Sequence, residues 1–318
     1  MAAPYPGVGH IITTQGNALA EDVTDIIYQI TPEDKPFWMI SGETTAGQPR
    51  HEWQRRELTT RQDNAAAEGF VYSMTGPQTL PSRIANFTQI MKKEIRVSNT
   101  QQAADFYGIG DMFADQMEIR LAELGTDAEH ALLRGSWSTG ATDGARRMQG
   151  LIQAITSNAT TYTTVTTTLN EDRFNDHIQA AWDLGGAPRD VLVGGKLKRM
   201  ISAFTAGGTR YIPHDQGKVV NTISLYESDF FPVQVHLSRD ILKNTDDNNS
   251  TGLAVSLYTG YAILFMDRTM TRKAFYRRFS SNRTPPVADS ADGVIVGEMT
   301  LEWGHPSAHV YADRYRNF

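Results

Sequence analysis

Residues 108–134 read GIGDMFADQMEIRLAELGTDAEHALLR, and the apolar positions in this stretch decide the fold. Ile109, Met112, Phe113, Met117, Leu121, Leu124, Ala128 and Leu132 recur mostly at steps of three or four, which gathers them on one helical face. Asp111, Asp115 and Glu118 near its start and Arg134 at its end suit the helix dipole. At ~1.5 Å per residue the helix is on the order of 40 Å long, a strut by the standards of a globular domain. Gly125 in its interior costs about 1 kcal/mol relative to Ala and predicts a bend.

Downstream of the strut, short helices and strands alternate. Residues 156–168 hold eight threonines in thirteen positions, polar and β-branched, which predicts an exposed hairpin or sheet edge. Asn170 then caps a helix with Glu171 and Asp172 in its first turn. Phe174, Ile178, Ala181 and Trp182 form its buried side, and Gly185-Gly186 stops it. A buried strand at 190–193 passes through Gly194-Gly195 into a second helix, with Leu197, Ile201 and Phe204 facing the core until Gly207-Gly208. Helix, strand and helix in so short a span mark an α+β unit. Further strands are predicted at 219–228, 233–237, 260–266, 270–279 and 294–303. In the last, Met299, Leu301 and Trp303 share one face and Glu298, Thr300 and Glu302 the other.

Upstream, residues 1–45 read as an arm. Ile26, Ile27 and Ile30 follow Glu21 and Asp22 in a short helix ended by Pro32, and Pro36-Phe37-Trp38 begins a new element. Residues 51–60 are strand-compatible, yet neither alternate face is cleanly apolar. A polar, alanine-rich tip at 63–68 leads to a second candidate strand at 70–74, broken off by Gly76-Pro77 and Pro81. A two-stranded ribbon charged on both faces cannot be sandwiched in a core and is marginal alone. It needs a surface to lie on, and a neighbouring subunit would provide one; an ordinary surface hairpin is the alternative. The candidate contact residues are Trp53, Arg55, Arg56, Glu57, Arg61, Phe70 and Tyr72.

Composition narrows the chemistry. The 318 residues suffice for one large or two medium units. Cysteine is absent, which removes disulfides, thiolate nucleophiles and Cys-ligated metals. A net charge of −6 opposes strong nucleic-acid binding. A basic run from Arg268 to Arg283 includes Arg272, Lys273, Arg277 and Arg278 and alternates with Met270, Ala274, Phe275 and Phe279. It reads as the solvent face of a half-buried strand or a subunit seam, with packaged DNA or a neighbour's acids as possible partners. Residues 1–16 carry no basic segment followed by an apolar one, and the nearly apolar run at 253–266 is shorter than the roughly 20 residues a bilayer span needs. No membrane segment is expected.

Candidate sites fail one by one. Gly194-Gly195-Lys196 opens a helix after a strand, but Leu197 stands where a phosphate loop has Ser or Thr. His305 and His309 are four apart, yet Pro306 lies between them directly after a strand, so they read as ordinary polar histidines. The run Asp246-Asp247-Asn248-Asn249-Ser250 continues into Thr251 where a calcium loop turns on glycine, and Leu257 replaces its closing Glu. Ser136 and Ser138, between Gly135 and Gly140, do not form a nucleophile elbow. No catalytic, cofactor or metal site is predicted.

The order of elements resembles that of tailed-bacteriophage major capsid proteins, whose fold also builds encapsulin compartments. The helix Phe113-Ala114-Asp115-Gln116-Met117-Glu118 carries part of the likeness, as does Tyr226-Glu227-Ser228-Asp229-Phe230-Phe231-Pro232-Val233. Gly297-Glu298-Met299-Thr300-Leu301-Glu302-Trp303, followed by Ala308-His309, carries the rest.

The resemblance implies an α+β major capsid fold with an N-terminal arm at 1–45 and an extended hairpin loop at 46–90. Residues 91–170 and 266–318 would form a peripheral domain around a spine helix at 108–134, and 171–265 an axial domain. It implies hexamers and pentamers of this chain closing an icosahedral head around double-stranded DNA, the hairpin lying over one neighbour and the arm under another. The implied partners are the chain itself, a separate scaffolding protein, portal and decoration proteins, and packaged DNA held non-specifically on the inner face. The implied location is the virion, after assembly in the host bacterial cytoplasm. Some relatives link a hairpin lysine to a neighbour's asparagine; no lysine occurs between Lys35 and Lys92, so no such bond is expected from this hairpin. An encapsulin-like shell, or a soluble enzyme with an unrecognised site, are the competing readings.

Overall fold

The computed structural model describes residues 34–59, 61–71, 79–104, 106, 109–141, 144–162, 168–204, 224–241, 261–285 and 288–315. The chain enters as α1 (Pro36–Ile40), β1 (Gly42–Thr45), β2 (Arg50–Arg55), β3 (Ser82–Phe87) and β4 (Gln89–Ser98). It continues through α2 (Asn99–Gln102), α3 (Met112–Arg134), α4 (Leu151–Ala154), β5 (Ala159–Thr161), α5 (Glu171–Asp183), β6 (Asp190–Val193) and α6 (Gly195–Ala203). It ends in β7 (Leu225–Glu227), β8 (Pro232–Leu237), β9 (Tyr261–Met266), β10 (Arg272–Thr284), β11 (Ser290–Glu302) and β12 (Val310–Tyr315).

The strut is α3. Its start moves from Gly108 to Met112 because the Asp111 side chain accepts hydrogen bonds from the backbone N–H groups of Phe113 and Ala114, which makes Asp111 the cap. The 23 residues span about 34 Å. Burial concentrates in the second half, at Leu124, Ala128, Ala131, Leu132 and Leu133; only Phe113 is buried in the first turns, and Leu121, expected in the core, is half-exposed. Met112 and Met117 are partly buried and pack against the same core, so the first turns lie on its margin. It runs uninterrupted through Gly125, where a methyl group would stand 2.6 Å from the Lys35 ammonium. That glycine makes room for a crossing side chain.

Two sheets divide the molecule. A four-stranded sheet has the order β1-β10-β11-β4, with β1 parallel to β10 and the other pairs antiparallel. A six-stranded sheet has the order β5-β12-β9-β6-β8-β7. All four residues of β6 are buried, and their alternation explains why. Val191 and Val193 pack with Phe174, Ile178, Leu197 and Ile201 of α5 and α6, whereas Leu192 joins the core of α3 and the four-stranded sheet. One sheet is thus the shared wall of two cores.

Several expectations are corrected. Residues 36–45, expected in the arm, are α1 and β1 of the body, and Phe37 is fully buried. Residues 1–33 lie outside the described residues. The partner of β2 is β3, in register Arg50↔Phe87 to Arg55↔Ser82, and not a strand at 70–74. Phe70 and Val71 are irregular, and residues 72–78, with Tyr72, lie outside the described residues. The C-terminal strand β12, expected in the peripheral part, belongs to the six-stranded sheet, where β5 joins it as the edge. Trp182 is 56% exposed, because α5 needs only Phe174, His177, Ile178 and Ala181 to cover the sheet. On β11 the polar face is buried too: Thr300 is fully buried, and the buried Glu298 accepts from Thr88 and Arg146. The acidic run at 246–250 lies outside the described residues, as do 205–223.

Candidate functional site

The ribbon β2–β3 is bolted to its own chain at the base. His51, Trp53 and Arg55 alternate on its less exposed side. The Trp53 ring meets Trp303 edge-on with centroids 4.8 Å apart, and its Nε1 donates to the Gly304 carbonyl at 2.9 Å. His51 Nε2 lies 3.2 Å from a Glu302 carboxylate oxygen. The buried Asn86 amide donates to the carbonyls of Leu301 (2.9 Å) and Gln149 (3.1 Å) and accepts from the Gln149 N–H. Every polar atom of that side chain is used, so it fixes the departure angle of the ribbon. Trp53, expected at a neighbour, is therefore engaged within its own chain. Arg55 donates from Nε to Ser82 across the ribbon.

Beyond this base the loop turns outward. Leu58 is 93% and Val71 88% exposed, and Phe70 and Leu80 are also largely exposed. Glu57 is tied back to His305 at 3.0 Å, while Arg56 and Arg61 are exposed and form no ion pair among the described residues. The exposed stretch also carries Asp63 and Glu68, so charges of both signs are interleaved with its large apolar groups.

The arm's exit is held by two buried charges that the sequence did not announce. The Glu129 carboxylate, on the buried face of α3, accepts from the backbone N–H of Phe37 (2.8 Å) and Trp38 (2.7 Å) at the start of α1. Burial pushes this carboxyl up to about 7 against the pull of those two bonds, with Asp240 adding to the rise and Lys273 opposing it. Lys273, itself buried on β10, donates to the Trp38 carbonyl at 2.6 Å and lies 4.4 Å from the centre of the Trp38 ring. Its burial pushes its own value down, against the attraction of Glu43 and Glu129. A Glu one position after Ala128 was the available signal, an acid on an apolar stripe.

The basic run is largely neutralised within the chain. Arg268 donates to Asp190 from Nε at 2.7 Å, and His236 reaches the same carboxylate at 2.9 Å. Burial pulls Asp190 up, but the bonds from His236 and Arg268 outweigh it and hold the carboxyl below its ordinary value. Arg277 and Arg146 share the buried Glu298, Arg278 lies 3.6 Å from Glu43, and Arg283 stacks over Phe113. The expected strand face is there, with acids of this same chain as its partners.

None of the other candidates is brought into a reactive arrangement. Gly194 caps α6, and Ser138 pairs with Arg147 in an isolated bridge. His305 faces Glu57, whereas the buried His309 bonds the Trp303 carbonyl and the Asp267 N–H, and burial pushes it down to about 4. No cluster of three metal-ligating side chains occurs among the described residues. A groove of about 480 Å³ is lined by Arg189, Gln234, Arg268 and Thr269, whose hydroxyl donates to Asp267 at 2.7 Å.

Comparison with known proteins agrees with this geometry. The family model described as SU10 major capsid protein matches residues 10–313. A major capsid protein of Escherichia phage Phieco32 is 30% identical over 110 residues, 35% of this chain and 31% of that protein, so the match spans under a third of the relative's length. Among solved structures, the capsid of cyanophage A-1(L) superposes with a TM-score of 0.68 at 10% identity, covering 96% of this chain and 99% of the other. A structure from Gordonia phage Cozz gives 0.59 at 13% identity, covering 98% of each. An encapsulin complex from Synechococcus elongatus gives 0.57 at 11% identity, covering 95% of each. These three likenesses establish the fold.

Proposed function

Because the chain belongs to the SU10 major capsid protein family, we propose that it is the repeating wall subunit of an icosahedral phage head, assembling as hexamers and pentamers. The observation that carries this reading is the stretch at 56–59 and 61–71, which follows the base held through Trp53 and Asn86 and leaves Leu58 and Val71 exposed. Exposing such groups on a lone molecule is costly; covering them with a neighbour returns that free energy on every contact around a ring. Residues 171–265, together with β5 and β12, would gather around the ring axis, and α3 with the four-stranded sheet would form the periphery.

The same reading gives the subunit a structural and non-enzymatic role, a separate scaffolding protein during assembly, and portal and decoration proteins as further partners. The net charge of −6 suits a container whose DNA is held only non-specifically at the inner face. Assembly would take place in the host bacterial cytoplasm and the product would reside in the virion. The likeness to an encapsulin favours one second reading, a cellular compartment shell. Purified protein, alone and with any co-encoded scaffold, should give hexamers, pentamers or closed shells by size exclusion and negative-stain microscopy. A protein that stays monomeric in every condition would overturn the proposal, and recovery of shells loaded with an enzyme would transfer it to the compartment.

A further inference from the structure

We propose that His309 is the pin of a hinge between the two sheets and that protonation of its ring releases the pin. Two short connections join the sheets. Residues 267–271 carry β9 of the six-stranded sheet into β10 of the four-stranded one, and residues 303–309 carry β11 back into β12. The cores change over along the second: Trp303 belongs to the core of α3 and the four-stranded sheet, and Val310 to the core of α5 and α6. His309 is fully buried and bonds both connections. Its Nδ1 lies 3.2 Å from the Asp267 backbone nitrogen, and its Nε2 lies 3.0 Å from the Trp303 carbonyl oxygen. The connections also meet at Gly304, which has a left-handed φ of +57°. A methyl group there would stand 3.0 Å from the Met270 carbonyl oxygen, so only glycine allows the approach.

A backbone N–H can only donate and a carbonyl can only accept. The two bonds therefore fix the imidazole as the neutral form with its proton on Nε2. A second proton, on Nδ1, would face the Asp267 N–H and turn a bond into a contact between two donors. The charged groups around the ring are already turned elsewhere. The Asp267 carboxylate accepts from the N–H and hydroxyl of Thr269, Arg268 bonds Asp190, and His305 faces Glu57. Burial dominates the ring's own titration and pushes it down to about 4, with His305 adding to the fall and the Trp303 carbonyl and Asp267 opposing it. The folded value is depressed, so the pin is fully set above about 6.5 and is lost as pH falls through about 4. A charged ring gains most by moving to water, which separates 267–271 from 303–309 and frees the angle between the sheets. His177, also neutral by burial, packs against Phe265 and Tyr315 inside the six-stranded unit, so its protonation loosens one unit and not the joint.

The full chain serves for the test. Between pH 7 and pH 4 the opening equilibrium of the Asp267 amide, from hydrogen exchange corrected for intrinsic rates, should grow about a hundredfold. His309→Gln keeps one donor and one acceptor but takes up no proton, and should leave that amide nearly flat. Because cysteine is absent, spin labels at Gln179→Cys on α5 and Glu94→Cys on β4 have no competitors and report the distance between the units. The distance distribution should broaden at pH 4 when His309 is present and stay narrow with His309→Gln. An Asp267 amide that opens equally in both chains overturns the proposal, and so does a distribution that the substitution leaves unchanged. Should the glutamine chain not fold, ¹⁵N-histidine spectra of the wild type decide. Charging of His309 in step with opening of the Asp267 amide supports the pin, and a charged His309 beside a still-protected Asp267 amide overturns it.

Discussion

The backbone amides of Phe37 and Trp38 should open more readily as pH rises from 5 to 8, and Glu129→Gln should abolish that dependence. A carboxyl held at about 7 in the fold, against an ordinary 4.5, favours its neutral form by about 3 kcal/mol. The folded value is raised, so the stabilisation is complete below about 4.5 and is lost as pH rises through about 7. Over that interval the opening equilibrium of residues 36–45 should grow by roughly two orders of magnitude. Glutamine has no proton to lose, so its profile should be flat. It should also open more than the wild type at pH 5, by about 1–3 kcal/mol, because its amide N–H₂ meets a backbone N–H where an oxygen stood. Amide hydrogen exchange corrected for intrinsic rates reads the effect at the two donors themselves. Global unfolding would not, since His177 and His309, pushed down to about 4 by burial, contribute a slope of opposite sign below about 6.5. A glutamine variant that keeps the wild-type slope between pH 5 and 7 would refute the assignment of that slope to Glu129.

Those two histidines carry their own prediction: their contribution to global stability is present above about 6.5 and lost as pH falls through about 4, on the order of 3 kcal/mol each, and a denaturant midpoint unchanged over that range would contradict it. Trp53→Ala, which removes the ring contact to Trp303 and the bond to Gly304, should cost about 2–3 kcal/mol in equilibrium unfolding; a loss within experimental error would mean the ribbon is anchored elsewhere. Glu298→Ala strips the partner from Thr88, Arg146 and Arg277 and should cost about 1–3 kcal/mol in equilibrium unfolding, more than Glu298→Gln. With no lysine between Lys35 and Lys92, assembled particles should run as a single band on denaturing gels, and ladders joined through the loop would contradict this.

The strut was legible because α3 repeats its apolar residues at helical spacing and Asp111 is a strong cap. The buried strand β6 was legible because four residues between turn signals had no polar face to expose. What sequence could not show was which elements meet. Residues 82–87 carry no alternating pattern of their own and follow Pro81, yet they pair with β2, and Asn86 ties the strand to two distant carbonyls, Gln149 and Leu301. The burial of Glu298 depends on Thr88 and Arg146, both more than a hundred positions away. Of the candidate contact residues, Trp53 was a large aromatic in a polar stretch, and local pattern cannot say whether its partner is its own Trp303 or another molecule. Arg56 and Arg61, expected at a neighbour, are exposed and form no ion pair among the described residues.

The charge distribution now limits where contacts between subunits can form. Arg268, Lys273, Arg277 and Arg278 each lie against a carboxylate of their own chain, so recruiting them to phosphate or to a neighbour would leave Asp190, Glu43 or Glu298 without its partner. For Asp190 and Glu298, both buried, that exchange is strongly unfavourable. Among the described residues, exposed charges that form no ion pair include Arg272 of the same run, Arg56, Arg61, Asp63 and Glu68 of the loop, and Asp176, Asp183, Glu227 and Asp229 on α5 and the β7–β8 turn.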